Sequence, residues 1–197
     1  MNDITNNEIQ ILLKIVKSPE IDYNANSIAK EIKITSMGAL KILKRLEKEN
    51  ILKSKKIGKA FIYKINIENQ YAKKYITLLL SRESLQSNTR VKRWTNEIKK
   101  IKNADMIILY GSVLEKQNPN DIDVLLTTDK KRFNNLEKEI ADLNQINIKK
   151  IHALYQTFDD LVNNIKKRDK IALSAIKGIP VKGEEKFIEI YNESRKE

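Results

Sequence analysis

The chain has no cysteine and a single histidine, His152. Disulfides, thiolate zinc sites and cysteine nucleophiles are thereby excluded, and one imidazole cannot build a multi-histidine metal site, so any metal has to rest on carboxylates. Glycine and proline are scarce, five and three in 197 residues, which favours a helix-rich globular chain over a disordered or fibrous one. Long apolar runs are missing as well. The longest, such as residues 76–80, fall far short of the roughly 20 residues of a membrane helix, and the polar start MNDITNNE has no signal-peptide core. A cytoplasmic protein with no membrane partner is expected. Acidic groups are the minority, 26 against 38 Lys and Arg, and the net charge of +12 suits a polyanionic partner, nucleic acid being the usual one, and equally a merely soluble lysine-rich surface. The length suits one medium domain or two small ones.

What is present starts with a pattern of short helices. Ile9, Leu12, Leu13 and Val16 recur at helical spacing and Ser18-Pro19 ends that helix. Asn26 or Ser27 can cap a second helix through Ile28, Ala29 and Ile32, and Thr35 or Ser36 a third that runs to about Asn50. The third places Leu40, Leu43 and Leu46 on one stripe and leaves Lys41, Lys44, Arg45 and Lys48 elsewhere on its surface, so it offers both a core face and a basic face. Two strand-like runs follow, ILKSKK and AFIYKI, with Gly58 able to take the positive φ that a hairpin turn needs. Between Lys33 and Lys64 stand ten basic residues and two acidic ones, Glu47 and Glu49. The charge is concentrated here.

The run NSIAKEIKITSMGALKILKRLEKENILKSKKIGKAFIYKI resembles the winged helix-turn-helix of prokaryotic transcription regulators of the MarR and related types, over about residues 5–66. The resemblance implies double-stranded DNA as partner. The third helix would enter the major groove with Thr35, Ser36, Met37 and Lys41 near bases, Lys44 and Arg45 would add positive charge, and Lys55, Lys56 and Lys59 of the wing would meet phosphate or minor groove. Between residues 67 and 103 there is no Pro or Gly, and two connecting helices are expected, broken near residues 84–88. The second carries Val91, Trp94, Ile98 and Ile101. That stripe suits a homodimer surface or packing between domains. An α+β chain is expected, with a winged helix at 1–66, connecting helices at 67–103 and a third region at 104–197 that contains a mixed sheet flanked by helices.

That third region holds the residues suited to chemistry. Met106–Tyr110 is a buried-strand run that ends in Gly111-Ser112, and Ile122–Leu126 is a second, with Asp121 and Asp123 at its start. Residues two apart on a strand share a face and lie about 7 Å apart along the backbone, so both carboxylates can converge on one hard cation, Mg2+ being the natural choice. Gly111 lets a phosphate approach the backbone and Ser112 can donate to it, while the metal would bridge triphosphate oxygens.

The stretch MIILYGSVLEKQNPNDIDVLL resembles small prokaryotic members of the DNA polymerase β-like nucleotidyltransferase superfamily, in which a GS is followed by D-x-D between hydrophobic residues. Gly111, Ser112, Asp121 and Asp123 match one for one. The tail, with an amphipathic helix, a short strand at 179–182 and a closing helix, is similar too, so the likeness covers about residues 104–197. It implies an NTP and Mg2+ bound at these four residues, with Asp121 and Asp123 as catalytic metal ligands. Three departures stand out, the first being a loop of eight residues between Ser112 and Asp121 where about ten are usual. The basic-Gly pair usual after the GS is absent, and the candidate strand for a third carboxylate, INIKKIHAL, has Lys149, Lys150 and His152 but no acid. His152 is read as a strand residue outside the site. Two functions are thus expected as alternatives: a DNA-binding regulator whose C-terminal domain senses or merely accompanies a nucleotide, or an Mg2+-dependent enzyme that moves a nucleoside monophosphate to a protein or nucleic-acid hydroxyl. The second, autoregulated by operator binding, would require a toxin-type protein partner.

Overall fold

A computed structural model describes residues 4–196; Met1, Asn2 and Asp3 of the polar start and the terminal Glu197 lie outside the described residues. The architecture is α+β, with ten helices and six strands among the described residues. They form two compact units, Met1–Leu79 and Leu80–Glu197.

In the first unit, α1 (Asn6–Val16) begins at a capping box in which Thr5 and Glu8 satisfy each other's backbone N–H groups. It buries Ile11, Leu12, Ile15 and Val16, one face of a 3.6-residue repeat displaced by a step from the stripe read in the sequence. α2 (Ala25–Ile32) starts earlier than expected, because Asn24 accepts from the N–H groups of Asn26 and Ser27. It stops at Lys33, whose left-handed φ of 59° turns the chain sharply, and Thr35 then caps α3 (Ser36–Lys48) by accepting from Gly38 N. α3 buries Ala39, Leu43 and Leu46, while Leu40 stays half-buried. β1 (Leu52–Ile57) and β2 (Ala60–Ile65) pair antiparallel from Leu52↔Ile65 to Ile57↔Ala60. The two-residue turn has Gly58 at φ 58° in its first position, where a primed hairpin turn needs positive φ. Tyr23 adds an antiparallel bridge to Tyr63, fastening the hairpin behind α1 and α2. This is a winged helix.

α4 (Gln70–Gln86) follows, and the division between the units falls inside it at Leu79/Leu80. α5 (Thr89–Ile98) begins at Asn88, which caps Val91 N. Its stripe behaves differently from either expectation: Val91, Trp94, Ile98 and Ile101 join the core of the second unit, and Trp94 is only 5% exposed. That indole is core, unavailable as a dimer surface. The sheet of this unit has the order β5-β4-β3-β6, built from β3 (Met106–Tyr110), β4 (Ile122–Thr127), β5 (Ile151–Gln156) and β6 (Ile179–Lys182). β3 is antiparallel to β4 and β6, and β4 is parallel to β5. The parallel pair requires a crossover, supplied by α7 (Phe133–Ile146). One sheet face, with Ile107, Leu109, Ile122, Val124 and Leu126, packs on α5 and α7. α8 (Phe158–Lys166), α9 (Lys170–Ile176) and α10 (Glu184–Ser194) pack together, α9 and α10 against β3 and α8 against β5. No helix among the described residues is long and apolar enough to cross a membrane.

Candidate functional site

The basic face begins where α3 turns outward. Met37, Lys41, Lys44 and Lys48 follow each other at spacings of four, three and four and are all exposed, so they share one helix face opposite the buried Ala39, Leu43 and Leu46. Met37 is 63% exposed. Thr35 and Ser36, at the exposed start of the helix, lie at its free N–H groups, although the Thr35 hydroxyl already serves Gly38. Lys55 and Lys56 sit on β1 and Lys59 in the turn, all exposed. Among the described residues none of Lys41, Lys44, Lys48, Lys55, Lys56 or Lys59 forms an ion pair, whereas Lys53 is held by Glu68 at 3.0 Å. Uncompensated charge of one sign is what a polyanion would meet here. Two apolar residues at the wing tip, Ile57 and Phe61, are also half exposed; the period-2 strand pattern alone could not separate these from core positions.

Arg45 departs from the sequence expectation. Its guanidinium pairs with Glu8, a carboxylate on α1 that is buried, and it lies 3.9 Å from Glu49. A buried carboxylate without a cation would be costly, so Arg45 is spent on holding α3 to α1. Its position on the helix, one residue past Lys44, gave no hint of this.

The second set of residues converges at the end of β3. Tyr110 pairs with Asp123 across β3 and β4, the chain leaves β3 through Gly111 at φ 76°, and α6 (Ser112–Glu115) begins at once. A Cβ on Gly111 would stand 2.2 Å from Asp123 Oδ2. Glycine is therefore demanded twice, by the backbone angle and by the carboxylate that fills the space of its missing side chain. Ile122 and Val124 point into the core shared with α5 and α7; alternation sends Asp121 and Asp123 to the other face of β4. Arg90, on α5, donates from Nε to the Val113 carbonyl at 3.1 Å, placing a cation beside the Gly111-Ser112 segment. The sequence gives no signal for Arg90, which lies far upstream of the motif.

Electrostatics mark Asp123. Burial, and then the neighbouring Asp121, push its carboxyl above the usual carboxylate range, while His152 pulls the other way. Burial, then the Asp123 charge, likewise raises the Tyr110 phenol. The structure also brings in the residue left outside the site: Asp123 is paired with His152 in the parallel β4·β5 register, and His152 Nδ1 lies 3.2 Å from Asp121 Oδ2. One potential ligand atom from each of Asp121, Asp123 and His152 lies within 4.8 Å of the others. Two carboxylate oxygens and an imidazole nitrogen form a donor set that fits a divalent cation. Only the strand register could bring His152 to the two carboxylates, because it lies 29 residues beyond Asp123 on a strand that has no acid of its own.

The fold thus defines an α+β protein with an N-terminal winged helix. No protein-family model matches the chain, and no curated relative does. Among solved structures it is similar to two mutants of ZitR from Lactococcus lactis. One shows 16% identity and a TM-score of 0.35 over 51% of this chain and 64% of that one. The other shows 18% and 0.31 over 50% and 73%. The chain thus spans less than two thirds of the first of them, and scores this low define neither a family nor a function for it.

Proposed function

We propose that the chain is a DNA-binding regulator whose winged helix grips duplex DNA and whose C-terminal, nucleotidyltransferase-like domain holds a nucleotide and a divalent cation. The observation that carries the reading is the unpaired lysine face of α3 and the wing. α3 would lie in the major groove, with Lys41 and Lys44 reaching base edges or phosphate and Met37 offering an apolar contact for a thymine methyl. Lys55, Lys56 and Lys59 would neutralise phosphates. The test is duplex binding across a salt series. Affinity should fall with a logarithmic slope of about 0.9 for each phosphate neutralised, so the triple Lys55→Ala, Lys56→Ala, Lys59→Ala variant should lose about two to three units of slope. Binding that ignores salt would sink the proposal.

The Asp121, Asp123 and His152 cluster favours a second reading, nucleotidyl transfer. A divalent cation there would neutralise charge on triphosphate oxygens. Gly111 would admit the phosphate chain to the backbone, Ser112 would donate to it, and Asp121 and Asp123 would hold the cation. A nucleoside monophosphate would then pass to an acceptor hydroxyl as the bond between the α-phosphorus and its bridging oxygen breaks and pyrophosphate leaves. Incubation with labelled triphosphates and candidate acceptors, a toxin-type protein among them, should give labelling that disappears in Asp123→Asn; no labelling of any acceptor, with no nucleotide binding by calorimetry, would remove this reading.

A further inference from the structure

β4 and β5 run parallel, with Asp123 opposite His152. Paired positions on adjacent strands project to the same face, and the strands lie about 4.8 Å apart, so the imidazole stands on the same side of the sheet as the two carboxylates. Its Nδ1 is 3.2 Å from Asp121 Oδ2, and the three potential ligand atoms lie within 4.8 Å of one another. Ligands of an octahedral ion at about 2.1 Å are about 3 Å apart when adjacent and about 4.2 Å when opposite. The three atoms can therefore share one ion with little movement. The neighbouring lysines are tied elsewhere: Lys149 Nζ to Asn118 Oδ1 and the Pro119 carbonyl, Lys150 Nζ to the Asn144 carbonyl. Neither neutralises the carboxylates in their place. With its side chain 62% exposed, His152 can turn toward an ion without disturbing the core.

The geometry points to His152 as the third protein ligand of a divalent cation held by Asp121 and Asp123, and to a site that prefers a first-row ion such as Mn2+ over Mg2+. Mg2+ takes oxygen ligands and keeps its waters, whereas first-row ions accept imidazole more readily. This inference rests on the reading of the C-terminal domain as a cation-holding one. β5 supplies no carboxylate, so the imidazole is the donor this strand brings to the two aspartates.

The test uses the full chain, titrated by calorimetry with Mn2+ alone and Mg2+ alone, with pulsed EPR of the Mn2+ complex read for nitrogen coupling. Wild type should bind Mn2+ at least about tenfold tighter than Mg2+, and His152→Ala should weaken Mn2+ about tenfold while moving Mg2+ less than about twofold. The nitrogen coupling should vanish in the same variant, and an unchanged melting curve would show that its fold is intact. If His152→Ala binds Mn2+ as wild type does and no nitrogen coupling is seen, while Asp123→Asn loses the ion, the role of His152 is overturned and the cation site stands. If wild type binds neither ion, the reading beneath it falls too.

Discussion

At Gly111 a positive φ of 76° and a carboxylate oxygen 2.2 Å from where a Cβ would sit coincide. Gly111→Ala should therefore destabilise the second unit by about 1–3 kcal/mol, seen as a lower denaturation midpoint, and should displace Asp123. Asp123 has the opposite sign. Its carboxyl is raised in the folded state, so the fold binds that proton more tightly than the unfolded chain does. The stabilisation this provides is present below the usual carboxylate range and is lost as pH rises through the raised value. At neutral pH the ionised group works against folding, as functional carboxylates commonly do. Asp123→Asn should melt above wild type at pH 7, and the gap should close as pH falls below the usual carboxylate range; equal melting at both would refute this assignment.

For the elements, the deciding case is α3. One face is core, one is lysine, and the Arg45 edge is fixed to α1 through Glu8. Removing one partner of a fully buried pair costs about 3–5 kcal/mol; because Arg45 is 37% exposed, Arg45→Ala should cost about 2–3 kcal/mol, measured by urea unfolding. Since the Arg45 charge is already paired with Glu8, its loss should leave the salt slope of duplex binding unchanged, unlike Lys41→Ala with Lys44→Ala. The helical periodicity announced this helix and its caps, but the choice among its basic residues depended on a partner 37 positions away, which no local pattern carries. β5 repeats the point. Its run INIKKIHAL reads as a strand with basic residues, and only pairing with β4 sets His152 against Asp123.

On the scale of the whole molecule, two compact units are joined within α4, and the single tryptophan, Trp94, belongs to the core of the second. Indole fluorescence therefore reports that unit alone, while far-ultraviolet circular dichroism reports both. Saturating Mn2+ at about 100 times its dissociation constant should add about 2.7 kcal/mol to a unit that binds it only when folded. The expected outcome is a fluorescence melt that moves up with Mn2+ while the transition of Met1–Leu79, followed by circular dichroism, stays in place. A shift of both together would show that the units unfold as one.

Sequence alone determined the α+β class, the winged helix with its hairpin turn at Gly58, the concentration of lysine between 33 and 64, and the strand ends that bring Gly111 against Asp123, because each is written in local periodicity, turn chemistry or spacing. Tertiary structure decided what depends on residues meeting across the fold. It assigned Trp94 to a core, turned Arg45 toward Glu8, set Arg90 beside α6 and brought His152 to the carboxylates. Those outcomes follow from sheet register and helix packing, which join positions that have no relation along the chain.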